Sequence, residues 1–206
     1  MERDALNCFN SSLVIYAIIY NYIYRMEILE NEPMSVHTSF KVGGPAKFFA
    51  KVESENDLAQ VFSKAQQAHL PCFLLGKGTN LLVSDNGYNG FIIQLGKSFS
   101  RIEELGEGKF RVGAGTPLAR FARLSINQEF AGIHKLAGIP GSLGGAIYMN
   151  AGAYGQEICN TCVEVVSMDE AGNLHTRSAA ECNFSYRHSL FQELSASSFA
   201  AGNCAG

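Results

Sequence analysis

The chain has 206 residues, 47% of them hydrophobic and 17% charged, with a net charge of -3 at pH 7. That length buries a core without disulfide or metal staples, and the charge excludes the basic footprint that nucleic acid binding demands. The cysteines, Cys8, Cys72, Cys159, Cys162, Cys182 and Cys204, are scattered, which suits reduced thiols in a cytoplasmic protein better than a secreted disulfide frame.

Residues 1–33 read as an N-terminal extension. Within it, Leu13 to Ile23 is strongly apolar but shorter than the roughly 20 residues a membrane span requires, and no small-residue cleavage site follows it. No membrane association is therefore expected, a tether through this stretch being the alternative, and Met26 is a candidate natural start. Ala46 to Glu53 has strand composition, and Ser54 with Asp57 opens a helix. Leu58, Val61, Phe62 and Ala65 recur at helical spacing and predict its buried face. After Pro71, Cys72 to Leu75 is wholly apolar, as in a parallel strand covered on both sides.

Phe91 to Leu95 and Lys109 to Gly113 predict further strands, and Thr116-Pro117 a cap for a second helix carrying Leu118, Phe121 and Ala122 on one face. Val163 to Asp169 and Asn173 to Ser178 predict a hairpin turning at Glu170-Ala171-Gly172. Residues 195–206 lack periodicity and predict an irregular tail, with the chain stopping early. The expected fold is α+β, a mixed α/β arrangement in two lobes, residues 34–100 and 101–194, with a boundary near residues 98 to 108.

Most of the 21 glycines fall between Gly76 and Gly155, where backbone must take positive φ or lie against a ligand. Gly76-Lys77-Gly78-Thr79-Asn80-Leu81-Leu82 follows a predicted strand, the place where α/β proteins bind ligands. Its amides, with the Thr79 and Asn80 side chains, suit a pyrophosphate. The spacing is neither that of a Walker loop nor of a Rossmann fingerprint, and an ordinary tight turn is the alternative. Ile139-Pro140-Gly141-Ser142-Leu143-Gly144-Gly145 offers little side-chain bulk, so a planar or extended ligand could approach it closely. The residues after it could begin a helix whose N-terminal amides point at that ligand; a packing turn between lobes is the alternative.

Other candidates carry less. Cys159 and Cys162 form a C-x-x-C without a second pair or nearby histidines, so packed thiols and no metal are expected. His37, His69, His134, His175 and His188 form no ligand cluster, and no G-x-S-x-G surrounds Ser142. Arg187, after Tyr186, reads by itself as a surface ion-pair former.

Four segments in order, TSFKVGGPA at 38 to 46, GKGTNLLVSD at 76 to 85, GIPGSLGGAIYMNAGAYG at 138 to 155 and SYRHSLF at 185 to 191, resemble the bacterial UDP-N-acetylenolpyruvoylglucosamine reductases over about residues 34 to 194. The resemblance implies the FAD-binding fold of vanillyl-alcohol oxidase type flavoproteins, two α/β lobes clasping an extended FAD. It places the FAD pyrophosphate on Gly76, Lys77, Gly78, Thr79, Asn80, Leu81 and Leu82, and makes Gly138, Ile139, Pro140, Gly141, Ser142, Gly144 and Gly145 border flavin and pyrophosphate, with Asn150 and Ala153 on the same wall. It assigns Arg187 to catalysis, where a planar guanidinium suits a carboxylate gaining charge, and Tyr186 to the substrate channel.

The implied reaction is reduction of UDP-N-acetylglucosamine enolpyruvate to UDP-N-acetylmuramate, with NADPH as hydride donor, in cytoplasmic peptidoglycan precursor synthesis; a monomer is expected. The resemblance also implies a proton-donating serine and a glutamate partner of Arg187 in a C-terminal substrate domain, for which no counterpart precedes Gly206. FAD-competent architecture with little or no complete turnover is therefore expected, the alternative being a non-catalytic FAD-binding fragment.

Overall fold

The computed structural model describes residues 26–194 and the backbone of residues 199–205; the apolar stretch 13–23 lies outside the described residues. In chain order the elements are β1 (Ile28–Pro33), β2 (Pro45–Val52), α1 (Glu55–Gln67), β3 (Cys72–Leu75), β4 (Tyr88–Leu95), β5 (Ile102–Gly106), β6 (Lys109–Val112), α2 (Leu118–Asn127), α3 (Leu143–Tyr148), β7 (Gly152–Ala153), β8 (Gln156–Glu157), β9 (Cys162–Met168), β10 (Leu174–Ser178) and β11 (Phe199–Ala205). Among the described residues, no helix is long and apolar enough to cross a membrane.

The first sheet has strand order β1-β2-β4-β3. β2 and β3 run parallel to β4, and β1 runs antiparallel to β2. Side chains alternate across this sheet as strand geometry requires. Ala50, Val52, Phe91 and Ile93 join the α1 residues Leu58, Val61, Phe62 and Ala65 in one core, while Phe49, Leu75 and Ile92 pack with Met34 and Ala46 in another. The α1 face is the one its spacing predicts. Its start is capped from both sides: Ser54 Oγ accepts the Asp57 amide at 3.1 Å, and the Asp57 carboxylate accepts the Glu53 amide at 3.0 Å.

Two expectations change here. Ile28–Pro33, read from sequence as the end of an extension, is an edge strand in register with β2, pairing Leu29 with Phe49. Cys72–Leu75 is a parallel strand, but it ends the sheet, and Phe73 and Leu74 are half-buried and line a cleft instead of being covered.

The second sheet has strand order β10-β9-β11-β6-β5, with antiparallel neighbours throughout. The predicted hairpin is β9–β10. Asp169 accepts hydrogen bonds from the Asn173 amide at 2.9 Å and the Asn173 side chain at 3.1 Å, and Gly172 takes a φ of 86° at the turn. The expectation of an irregular tail over residues 195–206 is corrected for Phe199–Ala205, which form β11 between β9 and β6. Strand pairing from both sides supplies the order that the small residues of this segment do not encode. Phe110, Phe121, Leu143, Ile147 and Phe191 anchor the core that α2 and α3 share with this sheet.

Candidate functional site

β3 ends at Leu75 and releases the chain into Gly76–Leu82, while α3 is preceded by Ile139–Ser142. These two loops meet. Thr79 Oγ1 donates to the Pro140 carbonyl at 3.1 Å, and a Cβ on Gly76 would stand 2.7 Å from Ser142 Oγ. A side chain at position 76 would oblige that hydroxyl to turn away. Gly78, left-handed at φ 62°, lies under the TSFKVGG segment: its carbonyl accepts the Ser39 amide at 2.9 Å, and a Cβ there would fall 2.1 Å from the His37 carbonyl oxygen.

Along the loops runs a cleft of about 530 Å³. Its walls hold Gly76, Lys77, Gly78, Thr79, Asn80 and Leu81 on one side, and Ile139, Pro140, Gly141, Ser142, Gly144 and Gly145 on the other, with Arg187 among the lining residues. Lys77 and Arg187 give it positive charge, and no carboxylate lines it among the described residues. The amides of Lys77, Gly78, Thr79 and Asn80 donate to no carbonyl among the described residues. Unused backbone donors beside a cation in a glycine-built cradle suit a diphosphate, so the residues present fit the diphosphate bridge of FAD.

The second loop behaves differently from the expectation that α3 aims its first amides at the ligand. Leu143 N donates to the Thr116 carbonyl at 2.8 Å and Gly144 N to the Ala114 carbonyl at 2.9 Å. Gly145 N is taken by Ser142 Oγ at 3.4 Å. Those donors stitch α3 to the segment before α2, so this loop supplies shape more than charge. Thr116 in turn does not cap α2: no side-chain cap forms there, and Thr116 Oγ1 is buried without a hydrogen-bond partner among the described residues.

Five residues expected at the site stand off the cleft wall. Leu82 is 74% exposed and Tyr186 81%, and Gly138 is exposed beyond the end of the second loop. Ala153 lies in the small β7–β8 hairpin. Asn150 is fully buried, and its amide donates to the Glu157 carboxylate and the Ser185 carbonyl, both at 2.9 Å, while its oxygen accepts the Cys159 amide at 3.1 Å. It ties the turn after α3 to the Arg187 loop.

Arg187 sits in a tight turn closed by mutual hydrogen bonds between Ser185 and His188 at 3.1 Å. Its φ of 56° is unusual for a residue bearing a side chain, and such strain gathers at functional positions. The guanidinium donates to the Gly152 carbonyl at 3.1 Å and lies 5.6 Å from the centre of the Tyr186 ring. Ser189 Oγ and Gln192 Nε2 both donate to the Tyr148 carbonyl, at 2.7 and 2.9 Å, fixing this loop to the end of α3. Cleft residues missed from the sequence are apolar: Phe73, Leu74, Ala114, Leu118 and Phe191 among them. Cys72, Cys159 and Cys182 are free thiols, burial pushing Cys72 up to about 12, and no metal-holding cluster occurs among the described residues.

Comparison with known proteins agrees with this geometry. A UDP-N-acetylenolpyruvoylglucosamine reductase of Caulobacter sp. (strain K31) is 41% identical over 169 residues, covering 82% of this chain and 55% of that protein. The chain spans about half the length of the curated relatives it matches. The crystal structure of UDP-N-acetylenolpyruvylglucosamine reductase from Thermus caldophilus matches with a TM-score of 0.71 at 30% identity, covering 88% of this chain and 61% of that one. The 6-hydroxy-D-nicotine oxidase of Arthrobacter nicotinovorans shares the fold alone, with a TM-score of 0.59 at 14% identity over 88% of this chain and 42% of that one. The fold is thus the FAD-binding fold of the vanillyl-alcohol oxidase type, and the motif resemblance to the reductases is borne out. A family model described as FAD binding domain matches residues 46–178, more than half of the sequence, and the chain belongs to that family.

Proposed function

We propose that this chain is the flavin-holding part of a cytoplasmic, NADPH-dependent reductase converting UDP-N-acetylglucosamine enolpyruvate to UDP-N-acetylmuramate for peptidoglycan synthesis. One observation carries the reading. Two glycine loops meet across 3.1 Å at Thr79 and Pro140, beside backbone amides of Lys77 to Asn80 that have no acceptor among the described residues. The amides would hold the FAD diphosphate with help from Lys77, and Ile139 with Phe73 and Leu74 would give the apolar walls a flat ring system prefers. FAD, when bound, supplies the hydride chemistry.

Arg187 would receive the enolpyruvyl carboxylate in its planar fork, held in place by the Gly152 carbonyl. Tyr186, exposed beside it, would border the substrate. This chain would bind FAD and allow its reduction without completing turnover, since among the described residues no carboxylate partners Arg187 and none lines the cleft. The test is direct. The purified chain takes up FAD, NADPH bleaches the flavin absorbance, and the enolpyruvyl substrate is not turned over repeatedly. A colourless protein that ignores added FAD removes the whole reading, and sustained NADPH-dependent turnover by this chain alone removes its last part.

A further inference from the structure

A second cavity, of about 200 Å³, opens beside the cleft and shares Leu75, Gly76, Lys77, Leu95 and Ser142 with it. It lies where β2, β3 and β4 end, the side of a parallel sheet on which ligands gather. Lys51, Lys77 and Lys97 line it, with Ser100 and Ser142 as hydroxyl groups, and no carboxylate does so among the described residues. Three like charges around one small space repel each other, and an anion placed among them relieves that repulsion.

The nearest acid, Glu53, meets only Lys51 among them, and weakly. Glu53 turns to Ser98, accepting its amide and its hydroxyl at 3.1 Å each. Lys51 Nζ stays 3.9 Å from Glu53, both side chains about half exposed, a pair of little strength. Lys77 and Lys97 make no ion pair among the described residues. Glycine keeps the backbone close to its neighbours here: a Cβ on Gly96 would fall 2.1 Å from the Glu53 carboxylate, and one on Gly115 would stand 3.0 Å from Ser100 Oγ. Lysines at three points, without a planar arginine fork, suit a compact multiply charged anion better than a carboxylate.

We infer that this cavity binds a single phosphate group, separate from the diphosphate proposed for the Lys77 to Asn80 amides. The flavin reading matters here only in naming the neighbour. The shared chemistry could come from inorganic phosphate or from the phosphate of a sugar or nucleotide, and inorganic phosphate with glucose 1-phosphate serves as the pair of probes. Calorimetric titration of both probes into the flavin-free and the FAD-loaded chain is expected to show saturable binding in each state, weakening as salt rises. Tighter binding of the ester than of inorganic phosphate assigns the site to esters. Replacing the exposed pair, Lys51→Gln with Lys97→Gln, is expected to lower phosphate affinity at least tenfold while FAD affinity and melting temperature stay as in the parent.

Absence of saturable binding, equal binding by the double variant, or phosphate that binds only by displacing FAD would each overturn the inference. The last result would make the cavity part of the cofactor site. A chain that binds phosphate but not FAD would leave this inference standing while removing the flavin reading.

Discussion

At Gly78 two constraints coincide: a left-handed backbone at φ 62° and a Cβ position 2.1 Å from the His37 carbonyl oxygen. Replacement by alanine must strain the backbone and push the His37–Ser39 segment off the loop, so Gly78→Ala is expected to destabilise by more than about 1 kcal/mol and to weaken FAD binding at least tenfold. Gly155 is the control. It is also left-handed, at φ 75°, but nothing lies within 4 Å of its Cβ position, so Gly155→Ala costs about 1 kcal/mol of backbone strain and leaves FAD affinity unchanged. Equal FAD affinity in both variants, followed by flavin fluorescence, would show that the loop contact is irrelevant to binding. Arg187 separates function from fold in the opposite way. It is exposed and anchored by one hydrogen bond to Gly152, so Arg187→Ala is expected to keep FAD binding and melting temperature while abolishing quenching of the flavin signal by the enolpyruvyl substrate. Quenching that survives the substitution argues against a carboxylate at this guanidinium.

Among the elements, α1 and the β9–β10 hairpin carry the clearest local signals and the clearest predictions. Ser54→Ala removes the side-chain acceptor for Asp57 N and should cost about 1 kcal/mol, read as a shift in the urea midpoint with unchanged slope. In the hairpin, the hydrogen bond from His175, with those from Asn173, holds the Asp169 carboxyl well below the usual carboxylate range. A carboxyl group depressed by folding contributes stability that is complete above its unfolded pKa, about 3.9, and that is lost as pH falls through the folded value. Asp169→Asn should therefore flatten the acid limb of the stability profile below about pH 4 and leave the neutral region little changed; an unaltered acid limb would refute the assignment.

These same elements were legible because their rules are local: a cap and a 3.6-residue period for α1, a glycine turn between alternating runs for the hairpin. β1 and β5 were not, since ILENEP and IEELG hold few apolar residues and become strands only by pairing with β2 and β6. At the site, the glycine loops were readable because backbone exposure needs glycine. The walls were not: Phe73 and Leu74 look the same in sequence whether they face a core or a ligand, and only the position of β3 at the sheet edge turns them to the cleft. The amides opening α3 misled for a similar reason, because their acceptors, Thr116 and Ala114, are distant in sequence.

On the scale of the whole molecule, the cleft couples two sheets that would otherwise meet along a modest seam. Ala114 and Met168, from the second sheet's side, already belong to the core of the first, and the loops forming the cleft leave β3 on one side and enter α3 on the other. A ligand gripping both loops binds only the assembled state, so it stabilises that state by mass action. At FAD concentrations of about 100 times the dissociation constant the gain is about 2.7 kcal/mol, which for a chain of this size raises the melting temperature by roughly 5 to 11 °C. Because both walls are needed, the transition should stay single and move as one. Met168→Ala, which loosens the shared core without touching the cleft, should lower the melting temperature of the free and the loaded chain alike and keep the FAD-induced rise. Two calorimetric transitions, of which only one responds to FAD, would mean that the cofactor is held by a single sheet and that the two-walled cleft is not what binds it.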